Sequence, residues 1–560
     1  MGSAYYRAGV LLIMYEKFID SFLLLGLLSP LLLSLMLSVK SIRNIVLPLS
    51  AWAALPALFA AMFVSPNILY WDVPWLLLGI RVGLDTTGAL FLLGSALLWL
   101  VAGIYTKAYF LQQKQRVYFY RFFLLAMVGN FGLIASQDIF SFYFFFTLMS
   151  FTSYGLIVFK GGKEAFHAGF VYIVLVVLGE VMLFIAFLLL SHATNAISFE
   201  AIRVGFIESP NKDLILFLLF IAFGIKAGIL GLHVWLPLAH PVAPTPASAV
   251  LSGAMIKAGL LGWLRFFPLG EYFSLHWAIG IILLGLFAQF YGVIIGLTQR
   301  NPKTLLAYSS ISQMGIMTML IGFGFYLPQH WNIIVAGITF FTLHHGLSKG
   351  ALFLGVGMLG STNKLQRYAI WFGLFIPAFA LAAAPYSSGM VAKYMVKSYT
   401  IYLMAPWSGI VATLLVIGAI NTTLLMIRLL YLVRPTSSPF GVTASFSLLW
   451  PWTLLLVVIL SLAFLFDFSS KVMQELNVLD FVYPLLISFG IAFLSSRVKI
   501  FQNIQPISAG DILIFYDKIV ILLMKSTRIF KYFLYYYNSF HFLLALKFTK
   551  FFDKIVAWLR

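Results

Sequence analysis

The chain is 560 residues long, with 62% hydrophobic and only 9% charged residues and a mean hydropathy of +1.00. A soluble protein carries about 25% charged residues, so these proportions exclude soluble enzymes, nucleic-acid readers and secreted modules and describe a polytopic membrane protein. Lys and Arg number 36 against 17 Asp and Glu, a formal charge of +19, which here reads as basic loops facing the cytoplasm and anionic lipid headgroups.

A spanning helix needs roughly 20 apolar residues. Such runs fall near 17–39, 43–64, 84–106, 117–135, 138–160, 166–190, 212–238, 246–267, 276–298, 303–324, 330–358, 367–404, 405–433, 446–466 and 480–496. The expected fold is therefore all-α, with about 14–15 transmembrane helices in a cell membrane. The first run lacks a small-residue cleavage site and reads as a retained helix.

Two of these runs are interrupted. Between Ile376 and Gly389 the sequence carries Pro377, Pro385 and Gly389, and 212–246 carries Gly224, Gly228, Gly231 and Pro237 ahead of Pro241, Pro244 and Pro246. Irregular backbone at membrane depth is tolerated only where protein or a watery cavity satisfies it. Broken helices at matching places in two halves point to inverted repeats, here 117–267 and 276–433. Residues 1–110 supply N-terminal helices and 440–496 C-terminal ones. The remainder, 497–560, is expected to form a basic amphipathic helix along the membrane surface or against a neighbouring subunit. From 511 to 560 it has a net charge of +5. The alternative is one further span around 532–547.

Ionisable groups inside the bilayer are costly and are functional candidates by default. Lys226, Lys257, Lys349 and Lys393 lie well inside apolar runs. Desolvation penalises an ammonium, so a lysine in hydrocarbon can take and release a proton near neutral pH. His345 and Lys349, at i and i+4, share a helical face. His233, seven residues after Lys226, would lie two turns along the same face, whereas His344 points elsewhere and His240 sits in a Pro-rich loop. Glu180 is the carboxylate deepest in an apolar run and a candidate partner for Lys226. Asp85 and Asp138, at helix starts, read as caps, and Arg265 and Arg428, near run ends, as snorkelling side chains. The histidines have no metal-ligand company. Cys is absent, which leaves no thiolate metal site or iron–sulfur cluster. No metal or cofactor is expected in this chain, and redox chemistry would sit on another polypeptide.

The stretch from Gly224 to Lys257, Gly-Ile-Lys226-Ala-Gly-Ile-Leu-Gly-Leu-His233-Val-Trp-Leu-Pro237-Leu-Ala-His240-Pro-Val-Ala-Pro-Thr-Pro246 and on through Ala-Ser-Ala-Val-Leu-Ser-Gly-Ala-Met-Ile-Lys257, resembles the signature of the antiporter-like proton-conducting subunits. These occur in complex I, Mrp-type Na+/H+ antiporters and membrane-bound hydrogenases of the formate-hydrogenlyase type. Supporting matches are Leu305–Gly315, His345–Lys349 and Ser388–Lys393, and the resemblance spans roughly 80–430. It implies a fourteen-helix core with two inverted five-helix repeats. Lys226 would be the lysine of the first broken helix and Lys257 the connecting lysine. His345 and Lys349 would form the link in the second repeat, with Lys393 the exit-side lysine of the second broken helix. The C-terminal extension is similar to the lateral helix by which some members strap neighbours together. One departure stands out: Thr147 occupies the position where the family carries a Glu, so either Glu180 substitutes or the first half-channel is altered.

The expected function is translocation of H+, with or without exchange for Na+, driven by a peripheral redox arm elsewhere in a complex of membrane subunits. Such a chain would be a pumping part of an oxidoreductase complex without catalysis of its own. Two alternatives are a subunit of a non-redox Mrp-type Na+/H+ antiporter and a non-conducting scaffold.

Overall fold

The computed structural model describes residues 21–63, 70–73, 79–360, 363–436, 440–466, 472–497 and 505–513, together with 516 and 518. Helix forms on each of the fifteen apolar runs, because only helices satisfy every backbone group locally in hydrocarbon. Helix α1 is Ser21–Met36. The next span breaks into α2 (Arg43–Ser50) and α3 (Leu55–Met62). Pro48 and Pro56 flank the turn between them, and proline removes ladder donors. A short antiparallel hairpin, β1 (Tyr70–Val73) on β2 (Ile80–Gly83), leads into α4 (Thr86–Tyr109). Then come α5 (Gln113–Ala135), α6 (Ile139–Ile157), α7 (Lys163–Thr194) and the short α8 (Phe199–Phe206). Among the described residues, ten helices are long and apolar enough to cross a membrane. The chain is an all-α, multi-pass protein of the cell membrane.

Both interrupted runs are broken helices. The first is α9 (Lys212–Ala227), a non-helical link, and α10 (Trp235–Val242). Gly228, left-handed at φ +72°, ends α9 and donates back to the Gly224 carbonyl at 2.9 Å, the usual way a glycine terminates a helix. The second is α16 (Lys364–Ala382) followed by α17 (Ser388–Ser398). Between them, Ala383 and Tyr386 both take positive φ. The span between α10 and residue 267 is also irregular: α11 (Thr245–Val250), a π-helical turn Leu251–Met255 and α12 (Lys257–Phe266). The remaining spans are α13 (Leu275–Thr298), α14 (Pro302–Tyr326), α15 (Trp331–Val356), α18 (Trp407–Leu432), α19 (Phe446–Ser461) and α20 (Leu479–Arg497).

Following the alternation of spans places the loops on two sides of unlike charge. One side gathers Lys40, Lys107, Lys114, Arg116, Lys160, Lys163, Arg300 and Arg434, and the other Asp72, Asp85, Asp138, Glu200, Glu208, Glu271 and Asp480. The positive-inside rule puts the basic side in the cytoplasm. Residues 113–266 and 275–432 each make five crossings with the fourth one broken, and they start on opposite sides.

Arg265 does not snorkel as its place near a run end suggests: its guanidinium makes two 2.6 Å hydrogen bonds to Asp85 and is buried. Asp85 caps α4 by accepting from Gly88 N, and Asp138 caps α6 through Ser141 N, so both act as expected. Most of the proposed C-terminal helix at 497–560, and the alternative span at 532–547, lie outside the described residues. The described piece 505–513 lies on the basic side, where Gln299 Nε2 donates to the Ile507 carbonyl at 2.9 Å and Ile507 N donates to Thr298 Oγ1.

Candidate functional site: a line of buried polar groups

The break after α9 holds Lys226 on the last helical turn, buried inside the protein. Its Nζ donates to Tyr172 Oη at 3.0 Å and to Ser150 Oγ at 3.3 Å. Tyr172 in turn donates to the Ser150 carbonyl at 2.9 Å. Thr147 lies one turn before Ser150 on α6, and its hydroxyl donates to Glu180 Oε2 at 2.6 Å. Residues three apart on a helix are neighbours, so α6 presents Glu180 and Lys226 with adjacent hydroxyl anchors. The second Glu180 oxygen is buried with no hydrogen-bond partner. Thr147 thus lies beside the carboxylate rather than replacing one.

His233 does not share a helical face with Lys226, contrary to the seven-residue spacing. Gly228 and Gly231 both adopt left-handed backbone in between, which ends the helix and redirects the chain. His233 is fully buried, and neither ring nitrogen makes a hydrogen bond. It faces Asp511, a group from the C-terminal segment that no sequence pattern connects with it, 3.9 Å from Nε2. Tyr308 donates to Asp511 at 3.0 Å and Tyr291 donates to its other oxygen. His240 is likewise not in a loop. It lies in α10, buried, its ring stacked on Phe353 with centroids 4.5 Å apart.

At the centre, Lys257 Nζ lies 2.8 Å from His345 Nδ1 and donates to the Ser252 carbonyl at 2.7 Å. That carbonyl lies in the π-helical turn Leu251–Met255, where the backbone ladder departs from the α-helical register. Gly253 and Gly346 allow the approach, since a Cβ on either would meet the other's carbonyl oxygen, as in other small-residue crossings of membrane helices. Lys349, one turn beyond His345, donates to the Leu306 carbonyl at 3.0 Å. Neither His345 nor Lys349 is exposed at all.

His344 also takes part. Its Nδ1 is 2.8 Å from Ser388 Oγ, on the first turn of α17 and five residues before Lys393. The Lys393 amine is buried without a hydrogen-bond partner among the described residues. It lines a cavity of about 40 Å³ that also touches Gln289, Lys397 and Asp480, room for about one water molecule. Lys397 and Asp480 form a 3.0 Å ion pair half open to solvent on the acidic side. A fifth buried lysine, Lys303, donates to the Ala243 carbonyl at 2.9 Å. Sequence reasoning misses it because it stands two residues after a helix cap and looks like a loop cation.

The contacts therefore join Glu180, Thr147, Ser150, Tyr172 and Lys226 into one cluster, Lys257 and His345 into a second, and His344 and Ser388 into a third beside Lys393. Among the described residues no hydrogen bond joins Lys226 to Lys257. No group of three or more His, Cys, Asp or Glu able to hold a metal occurs among them either.

Residues 136–425, which contain every group of these three clusters, match the family model described as NADH:quinone oxidoreductase/Mrp antiporter, transmembrane. The chain is similar to hydrogenase-4 component B of Escherichia coli K12, at 29% identity over 56% of this chain and 49% of that protein. It is also similar to a Na(+)/H(+) antiporter subunit of Alkalihalophilus pseudofirmus, at 27% identity over 58% of this chain and 67% of that one. The chain thus spans about half the length of the former relative. Its fold is shared with a chain of the Mrp complex from Dietzia sp. DQ12-45-1b, with a TM-score of 0.74 at 20% identity over 95% of this chain and 63% of that chain. It is shared too with a chain of the membrane-bound sulfane sulfur reductase, an archaeal respiratory membrane complex, with a TM-score of 0.68 at 19% identity over 96% of this chain and 99% of that one. The chain belongs to the NADH:quinone oxidoreductase/Mrp antiporter transmembrane family.

Proposed function

We propose that the chain is an ion-translocating, antiporter-like subunit of a membrane complex, carrying H+ along Lys226, Lys257, His345, Lys349 and Lys393, with a redox module on other polypeptides as the driving force. The observation that carries the reading is the 2.8 Å contact between Lys257 and His345, two titratable groups on different helices with no carboxylate between them. Two such groups cannot both be cationic at low cost, so a proton on one favours release by the other. His233 and Asp511 lie toward the basic, cytoplasmic side and are suited to proton uptake. The cavity from Lys393 to the Lys397–Asp480 pair opens on the other side and is suited to release. Glu180, held by Thr147, serves as the acidic partner of Lys226. The two five-crossing units of opposite direction are read as inverted repeats.

The Mrp-type alternative draws on the similarity to the Alkalihalophilus antiporter protein over 67% of its length. Ion flux measured in proteoliposomes of the whole complex, with and without Na+ and with and without an electron donor, separates the readings. Redox-driven H+ uptake supports the proposal, and Na+-dependent exchange without electron flow supports the alternative. Lys226→Ala and Lys393→Ala are each expected to abolish flux while the complex still assembles. Unchanged flux in both would leave only a scaffold.

A further inference from the structure

A second polar site lies away from the buried line, on the basic side. The loop after α1, the start of α2 and the first turns of α5 enclose a crevice of about 410 Å³ lined by Lys40, Arg43, Asn44, Gln113, Lys114 and Arg121, besides Val117 and Tyr118. Among the described residues it contains four cations and no acid. Both guanidiniums are drawn to one acceptor: the Leu37 carbonyl receives Arg43 Nε at 3.1 Å and Arg121 Nη2 at 3.2 Å. Arg121 is only 8% exposed, yet its Nε and Nη1 have no hydrogen-bond partner among the described residues. Buried charges are normally paired, and two guanidiniums on one carbonyl repel each other unless an anion lies between them. The α5 N-terminus adds its own partial positive charge to the same crevice.

We propose that this crevice binds a phosphate oxyanion, supplied by the headgroup of an acidic phospholipid in the cytoplasmic leaflet. The guanidinium matches phosphate geometry, and the helix ends around the crevice place it at headgroup depth. Soluble inorganic phosphate shares the chemistry and is the competing source.

The test uses the full chain purified in neutral detergent, with bound lipid counted by native mass spectrometry and thermal unfolding followed in parallel. Micelles containing phosphatidylglycerol, phosphatidylcholine or no lipid are compared, the last with inorganic phosphate. The expected result is retention of phosphatidylglycerol and a raised unfolding temperature, with phosphatidylcholine ineffective. Arg121→Gln is expected to weaken retention about tenfold, the effect of losing one charge-assisted hydrogen bond. Because Arg121 also braces Leu37, the exposed pair Lys40→Gln/Lys114→Gln provides a variant that leaves the fold intact, and it too is expected to lose retention. Equal binding of both lipids, or retention unchanged in the Lys40/Lys114 variant, overturns the proposal. Stabilisation by phosphate alone at the level given by phosphatidylglycerol overturns the lipid source.

Discussion

At the scale of single residues the least expected feature is Thr147 as the partner of Glu180. A hydroxyl donating at 2.6 Å fixes one carboxylate oxygen and leaves the other without a partner among the described residues, so the acid is positioned by an uncharged group. Glu180→Gln is expected to lower coupled ion flux by about 10²-fold, the size of a lost positioned acid–base group, with Thr147→Val producing a smaller loss; stopped-flow pH changes in proteoliposomes measure both. A flux unchanged in Glu180→Gln would remove that residue from the path. Asp511→Asn is expected to slow proton uptake about tenfold while the subunit still assembles, because the amide oxygen still accepts from one tyrosine, the amide NH2 can donate to the hydroxyl of the other once that hydroxyl turns, and the charge facing His233 is lost. Lys226, Lys257, His345, Lys349 and Lys393 stand out in the sequence because charge in an apolar run is costly wherever it falls. Asp511 does not, since it lies 278 residues from His233 in a segment that reads as a surface helix. His344 is masked by its neighbour His345, which shares the Lys349 face; the two adjacent rings in fact reach different helices.

At the scale of elements, composition locates the broken helices and spacing misplaces what lies beyond them. Pro385 and the glycines at 228 and 231 mark the interruptions, whereas Pro377 and Gly224 lie inside α16 and α9; counting in heptads from Lys226 to His233 assumes a helix that Gly228 ends. The π-helical turn is illegible for a different reason: Leu-Ser-Gly-Ala-Met contains no proline and forms an ordinary helix as readily, so nothing in its composition marks the register shift. Gly228→Ala is expected to cost about 1 kcal/mol, the penalty of a Cβ in left-handed backbone, seen as a lower unfolding temperature in detergent. A variant of unchanged stability would mean that the break is not held at that residue.

At the scale of the whole molecule, the fifteen apolar runs, the two five-crossing units and the sidedness follow from hydropathy and loop charge, which the lipid environment enforces on any sequence. The sidedness is directly testable, because the chain has no Cys to interfere. Lys160→Cys is expected to react with an impermeant maleimide only from the cytoplasmic side, and Glu208→Cys only from the opposite one; labelling of both from one side would contradict the orientation. The central pair carries one more consequence. With Lys257 charged, His345 must present a lone pair at Nδ1 and carry its hydrogen on Nε2. If the proposed path runs through this ring, a proton arriving at Nδ1 would leave from Nε2, which has no hydrogen-bond partner among the described residues, and the ring would end in the opposite tautomer. On the proposed path His345 would work as a turnstile, which would have to swing back before admitting the next proton.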